Sequence, residues 1–163
     1  MNLIVAVDKK WGIGKNNGLL VSISDDLKRF KALTLDKVVV MGYNTLISLP
    51  GQKPLKNRTN IVLTSKKIEI EGAIVVNDLS ALKNVLRGYS LEDVFIIGGE
   101  SVYRQFVDFC DYAYITYIDK EYDADRFFPV LNDSWKLIDE ESASQDELEF
   151  YFRKYKNTNV KVF

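Results

Sequence analysis

The chain has 163 residues, 47% of them hydrophobic and 28% charged, and its 22 Lys+Arg against 23 Asp+Glu leave a net charge of −1. At this length roughly 70% of the unfolded surface can be buried, so a core and a ligand cleft need no disulfide or metal, and disordered, collagen-like and coiled-coil classes are excluded. With no His and one Cys, zinc centres, Ser-His-Asp triads and Cys-His nucleophiles are excluded too, leaving carboxylates, hydroxyls, Lys, Arg, Tyr, backbone dipoles or a borrowed cofactor.

In chain order, β-branched runs predict strands at Leu3–Val7, Lys37–Met41, Asn60–Thr64, Ala73–Val76, Val94–Ile97, Tyr112–Ile118, Trp135–Glu141 and Leu148–Tyr155. The first five are almost continuously apolar, which predicts strands covered on both faces in a parallel sheet. Helical spacing of Leu27, Phe30, Leu33 and Thr34 predicts a helix over Ser24–Leu35. Leu82, Val85 and Leu86 predict another over Leu79–Leu86, and Val102, Tyr103, Phe106 and Val107 a third over Glu100–Phe109. Such alternation implies βαβ units with right-handed crossovers. The last two strands, separated by the acidic loop Ser142–Glu147, read as an antiparallel edge hairpin with Phe150 and Phe152 alternating on one strand and Trp135 and Leu137 on the other. No repeat and no linker interrupts the chain, so one domain over residues 1–163 is expected.

The balanced charge argues against a nucleic-acid partner, which requires clustered Lys and Arg. Leu3–Val7 is too short for a signal h-region or a membrane span, and the lone Cys110 suits a reducing compartment. A cytoplasmic protein without membrane attachment is expected, and a monomer, since no helix carries a second apolar stripe. No metal is expected.

Three strand-to-helix or strand-to-loop junctions carry glycine. In Trp11-Gly12-Ile13-Gly14-Lys15-Asn16-Asn17-Gly18 the dinucleotide spacing G-x-G-x-x-G fails at Asn17, so a mobile loop able to close over a ligand and an ordinary surface connection are the two readings. Gly98-Gly99-Glu100-Ser101 lies between a buried strand and a helix start, where free N–H groups can seat a phosphate, or where the glycines merely tighten a turn. Met41-Gly42-Tyr43-Asn44-Thr45 repeats the arrangement. Asp26 falls about 50° from the centre of the apolar face of its helix and Asp25 about 150° away. Asp26 is therefore expected to point inward with a raised pKa, and Asp25 to face solvent with Arg29 as its partner. Arg58, just before a strand, offers a bidentate fork to a carboxylate.

Taken together, Ile4-Val5-Ala6-Val7-Asp8 with Gly12-Ile13-Gly14, Asp25-Asp26-Leu27-Lys28-Arg29-Phe30-Lys31, Val40-Met41-Gly42 with Thr45, Pro54-Leu55 through Arg58-Thr59-Asn60, Ile96-Ile97-Gly98-Gly99-Glu100-Ser101-Val102-Tyr103, Ile115-Thr116-Tyr117-Ile118 and Asp125-Arg126-Phe127-Phe128-Pro129 resemble the dihydrofolate reductase family over nearly the whole chain. The resemblance implies an α/β fold: a mostly parallel eight-stranded sheet with flanking helices and a C-terminal antiparallel hairpin. It implies NADPH-dependent reduction of 7,8-dihydrofolate to tetrahydrofolate, a step of one-carbon and thymidylate metabolism that antifolates target. By the same likeness Asp26 is the catalytic acid, with Thr116 beside it. Ile4, Val5, Leu27, Phe30, Leu49 and Ile97 border the substrate, and Arg58 takes its glutamate α-carboxylate. Ala6, Ile13 and Gly14 border the nicotinamide with Tyr103, and Ile97, Gly98, Gly99, Glu100, Ser101 and Val102 cradle the pyrophosphate, a cis peptide joining Gly98 to Gly99. Gly42, Tyr43, Asn44 and Thr45 add a second helix end, and Thr64, Ser65 and Lys66 lie toward the adenosine 2′-phosphate. Leu20-Val21 stand where the family carries Pro-Trp, Tyr43 where it carries Arg, and Ala124 where Gly is common. The rival readings are another pterin or aminopyrimidine reductase and a non-catalytic nucleotide-binding module.

Overall fold

The computed structural model describes residues 1–163. Its strands are β1 (Asn2–Val7), β2 (Gly12–Gly14), β3 (Val38–Gly42), β4 (Thr59–Leu63), β5 (Ala73–Val76), β6 (Val94–Gly98), β7 (Tyr112–Ile118), β8 (Arg126–Phe127), β9 (Trp135–Gln145) and β10 (Leu148–Asn157). Its helices are α1 (Ser24–Thr34), α2 (Tyr43–Ser48), α3 (Leu79–Leu86) and α4 (Glu100–Phe106). Eight strands form one sheet in the order β5-β4-β3-β6-β1-β7-β10-β9, parallel except for β10, which runs antiparallel to both β7 and β9; β2 and β8 form a separate ribbon.

Side-chain alternation along the central strands divides the core into two layers. Leu3, Val5 and Val7 of β1, Val38 and Val40 of β3, and Val94 and Ile96 of β6 join Leu82 and Leu86 of α3 and Val102, Tyr103 and Phe106 of α4 on one face. Ile4, Val39, Met41, Val62 and Phe95 pack on the other face against Leu46 of α2, with Phe30 and Leu33 of α1 against them. The apolarity of these strands thus reflects cover on both sides. β5 is the exception to that expectation: it is an edge strand, and Ile74 is 37% exposed. Its composition matches its neighbours, but its place in the strand order leaves one side unprotected.

Local chemistry accounts for the element ends. Asp78 caps α3, its carboxylate accepting the Ala81 N–H at 2.8 Å. α1 has no side-chain cap, but Asp25 and Asp26 in its first turn and Lys31 in its last turn complement its dipole. The expected helix over Glu100–Phe109 changes at Val107 into a single 3₁₀ turn.

Three expectations change. The acidic segment Ser142–Glu147 is mostly strand: pairing continues to Gln145 opposite Leu148, and only Asp146 and Glu147, both with positive φ, make the turn. Leu137 lies on this hairpin but is 48% exposed, so it does not join Trp135 in the core. The segment Trp11–Gly18, read as a loop, carries short regular structure as well. Gly12 and Gly14 pair with Phe127 and Arg126, and Lys15 and Gly18 exchange backbone hydrogen bonds of 3.1 and 3.0 Å around Asn16 and Asn17, both left-handed. Asn tolerates that conformation better than any residue but Gly.

Candidate active site

The cleft lies toward the carboxyl ends of β1, β3, β4 and β6, where open α/β sheets expose strand-to-helix turns. Its carboxylate is that of Asp26, in the first turn of α1. Thr116, buried in β7, donates its hydroxyl to Asp26 Oδ1 at 2.5 Å, whereas Oδ2 has no partner in the protein. Burial raises the Asp26 pKa above the ordinary 3.8; the Thr116 hydrogen bond and then the positive charge of Arg29 oppose the rise without cancelling it.

The expected pairing of Arg29 with Asp25 does not occur. The Arg29 guanidinium lies 4.6 Å from the ring centre of Phe152 on β10 and 5.8 Å from that of Tyr114 on β7, while exposed Asp25 has no ion-pair partner. A guanidinium is weakly hydrated and lies readily on aromatic faces, and the negative charge of Asp26 adds to its stabilisation there.

Beside Asp26, Tyr103 of α4 is fully buried and donates to the Ile4 carbonyl at 2.7 Å. Burial, with a smaller contribution from Asp26, pushes its phenol far up, so it is a permanent donor. Ile4, Phe30, Leu49 and Ile97 belong to one apolar layer around this point. Leu27 is 47% exposed on the same helix, a border residue of the cleft and no part of the core. Alternation turns the Val5 side chain into the α3/α4 layer, so it is the backbone of this residue that can face the cleft.

Arg58 is held by Asn60. The buried Asn60 amide accepts from Leu55 N at 2.9 Å and donates to the Leu55 and Arg58 carbonyls at 2.8 and 3.1 Å, which fixes the loop. Arg58 then reaches the Lys56 carbonyl and Thr34 Oγ1 at the end of α1. Burial lowers its pKa, but an arginine stays charged.

On the other side of Tyr103 two helix starts converge. The Gly98–Gly99 peptide is cis, and Gly98 has φ of 130°. A Cβ on Gly98 would stand 3.2 Å from Thr45 Oγ1 and 3.4 Å from Tyr103 Oη, and one on Gly42 would stand 3.3 Å from Val102 Cγ2. The backbone of β6 therefore approaches α2 as closely as glycine permits, leaving the N–H groups of Gly99–Val102 and Gly42–Thr45 at one edge. Two side chains at this edge have partners in the protein: Glu100 accepts the Phe127 N–H at 2.6 Å, and Ser101 Oγ accepts from Gln105. Further along, Asn77 fixes the turn after β4 by donating to the Thr64 and Lys66 carbonyls. The Lys66 ammonium sits 4.3 Å from the centre of the Tyr43 ring.

Near the start of the ribbon, Asp8 is completely buried and makes no ion pair. Its carboxylate accepts the N–H groups of Gly12, Lys10 and Tyr122 at 2.8, 2.9 and 3.0 Å. The sequence offered Asp8 only as the last residue of the Ile4–Asp8 motif, without this role; the available signal was an acidic residue closing an apolar run three residues before Trp11. Cys110 is buried, and burial pushes its thiol up to about 12, which removes it from the chemistry.

The family model for dihydrofolate reductase matches residues 1–157. The chain belongs to the dihydrofolate reductase family. It is 35% identical over 164 residues to a dihydrofolate reductase of Bacillus subtilis, covering 98% of this chain and 95% of that protein. It is 34% identical over 160 residues to that of Staphylococcus haemolyticus, covering 95% and 94%. Among solved structures, a dihydrofolate reductase from Enterococcus faecalis complexed with NADP(H) and RAB-propyl superposes with a TM-score of 0.86 at 30% identity, covering 95% of this chain and 94% of the other. The eight-stranded sheet with its C-terminal hairpin is the fold of the dihydrofolate reductase family. No helix is long and apolar enough to cross a membrane.

Proposed function

We infer that the chain reduces 7,8-dihydrofolate to tetrahydrofolate with NADPH, and that the cleft between α1, β7 and the Gly98–Gly99 turn is where it does so. The observation that carries this reading is Asp26: a half-buried carboxylate with one oxygen held by Thr116 and the other open to the cleft.

Asp26 accepts the 2-amino and ring N–H edge of the pterin and keeps a proton available to N5 through water. Its raised pKa suits that work, because a group nearer the operating pH both holds and yields a proton. Ile4, Leu27, Phe30, Leu49 and Ile97 enclose the ring, and Arg58 receives the glutamate α-carboxylate as a charge-assisted fork. NADPH, when bound, supplies the hydride. For it the chain offers the backbone edge of Gly98–Val102 and Gly42–Thr45 to the diphosphate, Ala6, Ile13, Gly14 and Tyr103 to the nicotinamide end, and Thr64, Ser65 and Lys66 to the 2′-phosphate. The fit rests on the close approach at Gly98 and Gly42, where a Cβ would fill the cradle. The protein's work is then orientation and exclusion of water.

One continuous sheet from β5 to β9 supports a single domain over residues 1–163. The helices turn their apolar sides onto that sheet, which supports a monomer, and the single buried free thiol supports a cytoplasmic setting. The test is direct: purified protein is mixed with NADPH and dihydrofolate, and absorbance of the reduced nicotinamide is followed. Steady loss of signal that requires both reactants is expected; no loss would overturn the reading.

A further inference from the structure

Glu100 raises a question the proposed reaction does not answer: it places a carboxylate at the first residue of α4, beside the backbone edge assigned to the diphosphate. A negative charge there opposes anion binding unless it is drawn elsewhere. The side chain is drawn elsewhere: its Oε1 accepts the backbone N–H of Phe127 in β8 at 2.6 Å. Phe127 pairs with Gly12 of β2, and the neighbouring Phe128 donates its N–H to the Trp11 carbonyl at 2.8 Å. The Phe127 N–H therefore has no strand partner of its own on the Glu100 side. Apart from this bond, the ribbon meets α4 through apolar contact, with the Phe128 ring edge-on to Tyr103 at 5.0 Å between centres. At the same end of the ribbon Asp8 binds the N–H of Gly12, the partner of Phe127, and that of Tyr122.

We propose that Glu100 is a positioning residue that ties the β2–β8 ribbon to the start of α4, so that filling the diphosphate edge and ordering the ribbon that carries Ile13 and Gly14 are coupled through one hydrogen bond. The proposal rests on the assignment of NADPH to this edge. It separates two properties of the side chain: the acceptor oxygen orders the ribbon, and the negative charge is a cost that the Phe127 N–H offsets.

The experiment compares the full chain with its Glu100→Ala and Glu100→Gln variants in trypsin cleavage at Lys9, Lys10 and Lys15, with and without NADPH, and in KM for each reactant. In the unsubstituted chain NADPH should slow cleavage at these lysines, which flank β2. Glu100→Ala should raise ribbon cleavage about fivefold, abolish the protection by NADPH and raise KM for NADPH, leaving KM for dihydrofolate within about twofold. Glu100→Gln keeps an amide oxygen to accept the same N–H, so it should restore protection, with a KM for NADPH no higher than that of the unsubstituted chain. Equal cleavage and equal protection in Glu100→Ala and the unsubstituted chain would overturn the coupling, as would identical behaviour of the two variants. If NADPH protects none of the three proteins and is not oxidised by any, the assignment of the cofactor edge falls and the proposal falls with it.

Discussion

Thr116 donates its hydroxyl to Asp26 Oδ1 at 2.5 Å, joining a strand in the middle of the sheet to the first turn of a helix 90 residues earlier in the chain. That bond favours the ionised carboxylate, whereas burial favours the neutral acid, and burial is the larger influence. Thr116→Val removes the opposing influence alone. The Asp26 pKa should rise further, and because hydride transfer needs a protonated pterin, the rate falls as pH rises through the governing pKa. The midpoint of the rate profile should therefore move to higher pH, by about one unit for a hydrogen bond worth roughly 1.5 kcal/mol. A single-turnover pH profile checks both the direction and the size.

Burial of Asp26 also bears on stability. A carboxyl whose folded pKa lies above its unfolded value of 3.8 costs nothing when both states are protonated; the cost appears as pH rises through the folded pKa and is complete above it. Asp26→Asn should raise the melting temperature at neutral pH, by about 3 °C for each kcal/mol removed in a chain of this size, with the gain vanishing at pH values below the unfolded pKa. Calorimetry at neutral and acid pH measures it.

How much of this was legible beforehand differs residue by residue. The inward turn of Asp26 followed from helical period, because the residues that define the face lie within one helix. The position of Arg29 did not, since Tyr114 and Phe152 come from two distant strands that only the sheet brings together. Asn16-Asn17 carried the chemistry of a tight left-handed turn, yet its flanks pair with a two-residue strand over a hundred positions away, too short to read as a strand. β5 was legible as a strand but not as an edge, because edge status belongs to the strand order. Asp8 was silent for a related reason: its three partners are backbone groups, which no side-chain pattern reveals.

Tyr43 replaces an expected cation, but its ring lies under the Lys66 ammonium and so fixes the remaining one. Lys66→Ala should cut the preference for NADPH over NADH by about tenfold through loss of a charge facing the 2′-phosphate. Tyr43→Leu should cut it by about two- to fivefold, the size of a cation–π contact at an exposed site. The ratio of kcat/KM for the two nucleotides reports each, and the double variant should be little worse than Lys66→Ala if the ring acts through Lys66.

Arg58 is anchored by Asn60 and by Thr34 at the end of α1, whereas Asp26 lies in the first turn of that helix. Arg58→Leu should raise KM for dihydrofolate by about ten- to a hundredfold and leave kcat within about threefold, the pattern of binding lost equally from ground and transition states. Steady-state kinetics with each reactant varied in turn would show it.

Asp26 is the one carboxylate assigned to the reacting ring in the proposed reaction, and a single-turnover measurement on Asp26→Asn tests that assignment most directly. With NADPH and dihydrofolate both saturating at neutral pH, oxidation of the nicotinamide should be at least about a hundredfold slower than in the unsubstituted chain. A rate within about twofold of the unsubstituted chain would contradict the assignment.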